Sequence, residues 1–546
     1  MTGHLDTFCA DNLPPRDLWP VTDWTGVPEL AYPARMNCAT ALLGPIVETA
    51  DADRVAFRFP GGTWTYRELD ERSNRIARVL VEDLGVIPGN RVLLRGANTP
   101  MMAACWFAVL KAGGVVVCTM PLLRTRELAY IADKARVSLA LTDGRVAADC
   151  DQAMAARSDG TPRAGARVVR FGVSDPGSLE ERMAGKPPTF TSRDLAADDI
   201  ALIAFTSGTT GQGKGTMHSH RDVMAITDCF PRYVVRPRPE DLFIGSPPFA
   251  FTYALGGLLL FPIRFGASVV LLEQATPPFL LAAIGEYRPT VCFTAPTAYR
   301  AMLALMEQNA AADVSSLRRC VSAGEALPLA TYQAWLRRTN IRIIDGIGST
   351  EMLHVFISAA DDDIRPGATG RVVPGYTARV VDEDGREVPR GEIGRLAVRG
   401  PTGCRYLDDA ARQTAYVQHG WNLTGDSYHE DADGYFWYHA RTDDMIISSG
   451  YNISGPEVEN VLLEHASVQE CAVVGVADEE RGQRVTAYIV LRPDVAGTAA
   501  LVKELQDFVK REIAPYKYPR AIEFVDALPR TATGKLQRYR LREAHP

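Results

Sequence analysis

A run of hydroxyl-bearing residues and glycines at positions 206–215 has the composition of a phosphate-binding loop. It follows the apolar segment 200–205, so the loop would begin where a buried strand ends. Backbone N–H groups and side-chain hydroxyls in such a loop can converge on phosphate oxygens. The candidate phosphate ligands are Thr206, Ser207, Gly208, Thr209, Thr210 and Lys214.

The spacing of this run also matches the beginning of a P-loop, because four residues separate Gly208 from the consecutive pair Gly213 and Lys214. A P-loop places a serine or threonine after the lysine, and its hydroxyl binds magnesium. This chain has Gly215 at that position. A P-loop NTPase is therefore disfavoured, and the alternative to a phosphate-binding loop is a mobile surface loop rich in small residues.

Further short motifs follow in order along the chain and carry cations, carboxylates and glycines. They are Leu110-Lys-Ala-Gly113, Gly348-Ser-Thr-Glu351, Thr424-Gly-Asp426, Arg441-Thr-Asp-Asp444, the segment 449–453, and Pro529-Arg-Thr-Ala-Thr-Gly-Lys535. Together with the loop at 206–215 they resemble the signatures of the adenylate-forming superfamily, which includes acyl-CoA and aryl-CoA synthetases, luciferases and peptide-synthetase adenylation domains. One departure is Gly213, which replaces the usual proline.

The resemblance implies roles for these residues in making an acyl-adenylate from a carboxylic acid and ATP. Glu351 would be the magnesium ligand. Thr350, directly before it, would be a further catalytic residue. Asp426 and Arg441 would contact the ribose, and Lys535 would bridge the acid and the α-phosphate. The adenine slot would be formed by Gly324, Glu325, Ala326, Asp345, Gly346 and Ile347.

The resemblance also implies that a C-terminal domain rotates about Asp443 and delivers the thiol-binding segment Ser449, Gly450 and Tyr451. Each of these features has a simpler interpretation. Asp443 and Asp444 could be an acidic turn, and Lys535 could be a solvated lysine in a turn. The basic residues near the end could contact phosphates or form a solvated face; they are Lys517, Arg520, Arg530, Arg538, Arg540 and Arg542.

The acid is expected to be a small aromatic one. Segment 345–358 resembles benzoate-CoA and 2-aminobenzoate-CoA ligases, and segments 11–16 and 30–38 resemble the 2-aminobenzoate branch more. The resemblance places the pocket at Phe251, Thr252, Tyr253, Ala254, Gly256, Ala323, Gly348 and His354. Small residues at 254, 256 and 348 would leave room for a ring, and Thr252, Tyr253 or His354 could bind an ortho substituent. A core histidine remains the alternative for His354.

The expected function is therefore an ATP- and Mg²⁺-dependent aryl-CoA ligase, with coenzyme A as the second substrate. The expected acid is 2-aminobenzoate or 2-hydroxybenzoate. Coenzyme A is favoured because no carrier-protein domain follows Lys535. The alternatives are a benzoate-CoA ligase, an adenylating enzyme that loads a separate carrier protein, and a non-catalytic ligand-binding relative. Monomer and homodimer both stay open.

Composition sets limits on the class of protein. The net charge of -7 favours neither nucleic acid nor an anionic membrane as a partner. The two most apolar stretches are interrupted by Lys111 and Arg264, so no membrane span is expected. The N-terminus lacks a basic start followed by an apolar run, which favours a cytoplasmic protein. Ten scattered cysteines without a C-x-x-C pair indicate a reducing compartment.

The elements that must hold these motifs follow an alternating pattern. Short Val- and Ile-rich runs near residues 91, 114, 139, 168, 268, 290, 319 and 342 alternate with helical spacing, which predicts parallel α/β subdomains. Turn signals after residue 367 predict a β-rich subdomain at about 367–440. We therefore predict an N-terminal AMP-binding domain at 1–440 and a small mobile α+β domain at 441–546, which is the adenylate-forming enzyme fold.

Overall fold

A computed structural model describes residues 1–206, 213–309, 312–448, 451–478, 481–513, 515–531 and 536–543, without the side chains of residues 443, 451 and 452. The strands are β1 (Val55–Phe59), β2 (Gly62–Thr65), β3 (Arg91–Arg95), β4 (Val115–Thr119), β5 (Leu139–Asp143), β6 (Arg167–Phe171), β7 (Ile200–Thr206), β8 (Lys214–Ser219), β9 (Leu242–Gly245), β10 (Ser268–Val270), β11 (Val291–Thr294), β12 (Arg319–Ala323), β13 (Ile343–Gly348), β14 (Val355–Ser358), β15 (Arg371–Val372), β16 (Thr377–Val381), β17 (Gly394–Arg399), β18 (Val417–Gln418), β19 (Trp421–Glu430), β20 (Phe436–Arg441), β21 (Ile446–Ser448), β22 (Tyr451–Ile453), β23 (Val468–Asp478), β24 (Gly482–Leu491) and β25 (Ala521–Phe524).

The helices are α1 (Phe8–Asp11), α2 (Cys38–Val47), α3 (Tyr66–Arg78), α4 (Pro100–Lys111), α5 (Thr125–Lys134), α6 (Ala147–Ala155), α7 (Leu179–Met183), α8 (His220–Asp228), α9 (Thr252–Leu255), α10 (Phe261–Arg264), α11 (Pro277–Tyr287), α12 (Pro296–Gln308), α13 (Leu329–Thr339), α14 (Ala410–Tyr416), α15 (Gly455–Glu464), α16 (Ala499–Glu512) and α17 (Arg538–Glu543). Shorter 3-10 and π turns lie between them. None of the helices described is long and apolar enough to cross a bilayer.

Two mostly parallel sheets form the first part of the chain, as the alternating pattern predicts. One has six strands in the order β6-β5-β3-β4-β7-β8, and the other has nine in the order β15-β14-β13-β12-β11-β9-β10-β1-β2. The central strands β3, β4, β9, β11 and β12 run parallel to their neighbours. Because both faces of such strands are covered, their sequences are continuous runs of apolar residues.

A separate antiparallel sheet follows, in the order β16-β17-β19-β18 with β20 beside β19. It begins at Thr377, ten residues after the predicted start of the β-rich subdomain, because β15 pairs instead with β14 of the nine-stranded sheet. After Ile446, strands β21–β25 form a further five-stranded sheet against α15 and α16. Residues 446–509 supply a hydrophobic core of their own. The domain limits and the hinge at Asp443 stay predictions.

The Leu110-Lys-Ala-Gly113 motif joins α4 to α3 through a buried lysine. The Lys111 ammonium, 3% exposed, donates hydrogen bonds to Asp70 Oδ1 (2.6 Å), Ser73 Oγ (2.7 Å) and Asn74 Oδ1 (2.7 Å), all on α3. Burial lowers the pKa of Lys111, whereas its contact with Asp70 raises it, so the surrounding oxygens offset part of the cost of burying the cation. Gly113 follows at a φ of +80°, a conformation that favours glycine after the end of a helix.

We expect Lys111→Met to destabilise the protein, because the three oxygens on α3 would lose their shared donor. Breaking a buried ion pair typically costs about 3–5 kcal/mol. Urea unfolding followed by tryptophan fluorescence measures the change. Arg67→Met on the same helix is the matched control, since its partner Asp53 is exposed. Equal unfolding midpoints for the two variants would contradict the structural role given to Lys111.

Candidate active site

The predicted site segments meet at one edge of the nine-stranded sheet. Strands β9, β11, β12 and β13 are parallel neighbours, so their carboxyl ends lie side by side. The segment 246–256 follows β9, residues 324–326 follow β12, and Gly348 ends β13. Ligands of open α/β sheets bind at this edge, where the strands end and loops can surround a substrate.

The phosphate-binding run joins β7 to β8, which pair antiparallel with Thr206 opposite Lys214. Ser207, Gly208, Thr209 and Thr210 lie outside the described residues. The Lys214 ammonium is half-buried and lies 5.8 Å from the centre of the Tyr406 ring. Within the described ranges Lys214 has no carboxylate partner within ion-pair distance, so its charge is available to an anion.

The Ser-Thr-Glu turn after β13 is held at each of its three residues. The Tyr406 hydroxyl donates to Glu351 Oε1 at 2.6 Å, and Glu351 is 8% exposed. His218 Nε2 donates to the Thr350 carbonyl at 2.8 Å. Ser349 Oγ shares a hydrogen bond of 3.3 Å with the Tyr416 hydroxyl. The carboxylate that is predicted to bind magnesium therefore has a fixed orientation.

His218 of β8 and His220 at the start of α8 are both fully buried. Burial lowers the pKa of His218 to about 4, so its ring is neutral and Nε2 carries the proton it donates. Burial lowers the pKa of His220 to about 3, and its Nδ1 lies 3.0 Å from Cys38 Sγ. His220 therefore belongs to the core rather than to the phosphate loop.

The predicted ribose ligands lie directly opposite each other on adjacent strands. Asp426 of β19 pairs in register with Arg441 of β20. Arg441 Nη1 donates to Asp426 Oδ1 at 3.3 Å and to the Thr424 carbonyl at 3.1 Å. An aspartate in this arrangement can still accept from neighbouring hydroxyl groups through its other lone pairs.

The predicted adenine residues occupy two neighbouring strand ends, since Ser322 of β12 pairs with Asp345 of β13. Gly324, Glu325 and Ala326 begin the loop after β12, and Gly346 and Ile347 continue β13. Burial raises the pKa of Asp345 to about 7. Its Oδ1 atom is buried and has no hydrogen-bond partner among the residues the structure describes. An external donor would satisfy it.

The predicted acyl-pocket residues lie close together, but several of their polar groups are already engaged. The Tyr253 hydroxyl donates to the Val321 carbonyl (3.1 Å) and to the Thr294 carbonyl (3.3 Å). His354 is 2% exposed, and its Nε2 donates to the Tyr253 carbonyl at 3.2 Å. Phe251 and Tyr253 are half-buried, whereas Thr252, Ala254 and Ala323 are buried and Gly348 is exposed.

The interpretation that the small residues at 254 and 256 leave room for the substrate ring is wrong in detail. A Cβ atom on Gly256 would lie 2.4 Å from His354 Cδ2 and 2.7 Å from Phe261 Cζ. Gly256 therefore makes room for the His354 ring, and Ala254 is fully buried in the same core. Burial lowers the pKa of His354 to about 3, so it is a neutral packed histidine. Any substrate ring must lie in front of it.

Lys535, Ser449 and Gly450 lie outside the described residues, as do the side chains of Asp443 and Tyr451. The backbone of Asp443 belongs to a 3-10 turn, Thr442–Asp444, and the Asp444 carboxylate binds Arg542 at 2.5 Å. The other terminal cations are also largely paired: Lys517 with Glu457, Arg530 with Glu470, and Arg538 with Glu459. Lys517, Arg530, Arg538 and Arg542 therefore do not form a freely solvated basic face.

Three residues that hold the site were not predicted from the sequence: Tyr406, Arg405 and His218 in its contact with Thr350. Arg405 forms a buried ion pair with Asp222 of α8. Arg405 and Tyr406 stand next to each other just after the glycine-rich segment 400–403, but neither carries a spacing signal. Their role depends on contacts with residues 55 to 183 positions away.

The donor set fits magnesium that is bound together with a nucleotide. Magnesium usually keeps several waters and binds through one or two carboxylates plus phosphate oxygens. Glu351 offers such a carboxylate next to the phosphate-loop strand. No cluster of three or more His, Cys, Asp or Glu suited to a metal occurs in the described part of the chain. A dedicated protein cage for a metal is therefore not formed by those residues.

Comparisons with known proteins agree with this geometry. Residues 47–405 match the family model described as AMP-binding enzyme, and residues 457–535 match its C-terminal domain. A benzoate–CoA ligase of Thauera aromatica is 35% identical over 95% of this chain and 98% of its own length.

Two solved structures resemble the whole chain. The anthranilate CoA ligase AuaEII, in complex with anthranoyl-AMP, has a TM-score of 0.89 and 34% identity over 95% of this chain and 99% of that one. A benzoate CoA ligase from Burkholderia xenovorans LB400 has a TM-score of 0.84 and 35% identity over 93% of this chain and 100% of that one. The predicted adenylate-forming fold is confirmed. The chain belongs to the AMP-binding enzyme family and is an AMP-forming acid–thiol ligase of the acyl-CoA synthetase type.

Proposed function

We propose that this enzyme uses ATP and Mg²⁺ to activate a small aromatic acid as its adenylate, and then transfers the aryl group to coenzyme A. The observation that carries the proposal is that Tyr406 contacts both the Glu351 carboxylate and, through its ring, the Lys214 ammonium; the Asp426–Arg441 pair would contact the ribose. Relatives that match nearly the whole chain are named as ligases of benzoate and anthranilate.

In the first step, a carboxylate oxygen attacks the α-phosphorus of ATP, and the bond from that phosphorus to the bridging oxygen breaks, so diphosphate leaves. Two anions must approach each other, so cations at the reacting centre lower the barrier. Lys214 would bind phosphate oxygens, and Lys535 would bind both the acid and the α-phosphate. Magnesium held with the nucleotide by Glu351 would neutralise charge on the phosphates.

In the second step, the sulfur of coenzyme A attacks the carbonyl carbon of the adenylate, its proton leaves to solvent, and AMP is released. The two steps need different groups at the same place. We propose that rotation of the C-terminal domain about Asp443 exchanges Lys535 for the segment 449–451, whose residues would line the thiol tunnel.

The proposed acid carries a small ortho group, as in 2-aminobenzoate or 2-hydroxybenzoate. The flat aromatic surroundings of Tyr253 and His354 favour an aryl ring, because their rings lie 5.7 Å apart and are backed by Phe261 and Phe293. Since the Tyr253 hydroxyl is engaged, the remaining candidates among the three for a contact with the ortho group are Thr252 and the Nδ1 atom of His354, which has no hydrogen-bond partner among the described residues. Benzoate itself is the second candidate.

We expect AMP release with coenzyme A to be most efficient for 2-aminobenzoate or 2-hydroxybenzoate. The screen compares kcat/KM for benzoate and its 2-, 3- and 4-substituted amino and hydroxy derivatives. A preference for benzoate or for a 3- or 4-substituted acid would contradict the ortho assignment. AMP release that requires a carrier protein instead of coenzyme A would favour the loading enzyme, and no acid-dependent AMP release would favour a binding protein.

We expect Lys535→Ala to abolish adenylate formation while leaving thioester formation from supplied aryl-adenylate largely intact, because the lysine charge is needed only while two anions react. Diphosphate release measures the first half-reaction, and aryl-CoA formation from synthetic adenylate measures the second. Lys503→Ala, an exposed lysine on α16, is the matched control. Equal loss of both half-reactions would contradict the role of Lys535.

We expect adenosine binding to weaken as the pH falls from 8 to 6, if Asp345 accepts a hydrogen bond from the adenine amino group. Its pKa of about 7 means that the carboxylate gains a proton across this range and loses its full acceptor strength. The affinity should fall by up to about tenfold, because the group is about 90% protonated one pH unit below its pKa.

Calorimetry with adenosine is the measurement, because adenosine has no phosphate to titrate near pH 6. Asp345→Asn is the control variant, since its amide keeps an acceptor oxygen that does not titrate. A flat wild-type profile, or the same slope in the Asp345→Asn variant, would contradict the adenine contact.

A further inference from the structure

The Tyr406 side chain forms a hydrogen bond with the Glu351 carboxylate. The hydroxyl donates to Oε1 at 2.6 Å, a short distance typical of a donor bound to a charged acceptor. Tyr406 forms this hydrogen bond with Oε1 of Glu351 and not with Oε2. One carboxylate oxygen is thus occupied by a fixed donor, and the other is on the opposite side of the same planar group.

Tyr406 is itself held rigidly. It is 1% exposed, its backbone N–H donates to Gln413 Oε1 at 2.9 Å, and it forms an antiparallel bridge with Thr216 of β8. Its ring meets the Tyr416 ring edge to face at 5.9 Å. A donor that cannot rotate away fixes its acceptor, so the orientation of Glu351 depends on the strand that carries the phosphate loop.

The chemistry of Tyr406 suits a permanent donor. A phenol hydroxyl is a hydrogen-bond donor at neutral pH, and Tyr406 directs its O–H at the Glu351 carboxylate. The Lys214 ammonium also lies over its ring. The side chain therefore forms a hydrogen bond with the group that we assign to the metal and lies beside the group that we assign to the phosphates.

We propose that Tyr406 is a positioning residue for metal binding: its hydroxyl holds Oε1 of Glu351 so that Oε2 faces the magnesium carried by ATP. The inference rests on the proposed function, because it takes Glu351 as the metal ligand. Donors that orient metal-binding side chains typically change metal affinity about 10- to 100-fold when they are removed.

The competing explanation is that Tyr406 is a core residue whose hydroxyl uses Glu351 as a convenient acceptor. Loss of the hydroxyl would then disturb packing or stability without a specific effect on the metal. The two explanations differ in whether the effect requires Glu351, and a double-mutant cycle measures this dependence.

The test uses the full-length protein and Mn²⁺ as the probe, followed by electron paramagnetic resonance during titration in the presence of ATP. We expect Tyr406→Phe to raise the half-saturating Mn²⁺ concentration at least about tenfold. Tyr66→Phe removes the same kind of buried hydroxyl, one that donates to the Ala267 carbonyl at 2.6 Å away from the Ser-Thr-Glu turn, and it should leave the Mn²⁺ titration unchanged. Adenosine affinity, which needs no metal, should be the same in all three proteins.

The cycle with Glu351→Gln separates the explanations. When the carboxylate is absent, Tyr406→Phe should cause no further loss of Mn²⁺ affinity. An unchanged titration for Tyr406→Phe, an equal shift in Tyr66→Phe, or the same loss in the Glu351→Gln background would each overturn the inference. Loss of adenosine binding or a large fall in melting temperature in Tyr406→Phe, with no additional Mn²⁺ effect, would also overturn it.

Failure of the proposed function has a different signature. If Mn²⁺ binding to the wild-type protein does not depend on ATP and is unaffected by Glu351→Gln, the metal assignment of Glu351 is wrong, and the inference about Tyr406 falls with it. If wild-type binding depends on both ATP and Glu351 but not on Tyr406, only the inference is wrong.

Discussion

The candidate site depends on the backbone pairing of residues 215–217 with residues 405–407. Met217 N–H donates to the Arg405 carbonyl, and Leu407 N–H donates to the Gly215 carbonyl, both at 2.8 Å. This short antiparallel contact attaches the edge strand β8 to a segment that leads into the antiparallel sheet. The buried Arg405–Asp222 ion pair lies beside it. Together with the hydrogen bond from His218 of β8 to the Thr350 carbonyl, this contact fixes the spacing between the phosphate-loop strand and the acidic turn, which belong to different sheets.

The same contact explains how charges of both signs coexist at the site. Glu351 and Lys214 contact different parts of Tyr406, its hydroxyl and its ring, and no ion pair joins these two charged groups. An ion pair between them would neutralise the cation needed by the phosphates. Keeping both charges available in a partly buried region requires such spacing, because unscreened attraction is strong where water is scarce.

The sequence predicts much of the fold because apolar runs and short motifs are patterns of neighbouring residues. Runs of Val and Ile at β3, β4, β11 and β12 predict buried parallel strands, and the motifs that follow in order along the chain predict the adenylate-forming fold. Contacts between distant positions leave no such signal. The bond between Tyr406 and Glu351, the burial of Lys111 against α3 and the engagement of the Tyr253 hydroxyl all depend on partners supplied by other elements. The position of β15 was also not predictable, since a two-residue strand has no periodicity.

His354 illustrates why the pocket was harder to predict than the phosphate site. Its residue type permits both a substrate contact and a core position, and only the rings around it decide between them. Phe230, Phe261 and Tyr253 lie 4.6–5.7 Å from its ring, and Gly256 is small enough to admit it. A neutral histidine in this setting supplies a flat wall whose position is fixed by its bond to the Tyr253 carbonyl. Specificity for an aryl ring would then come from the shape of this aromatic layer, while the charged groups at the strand ends serve every acid alike.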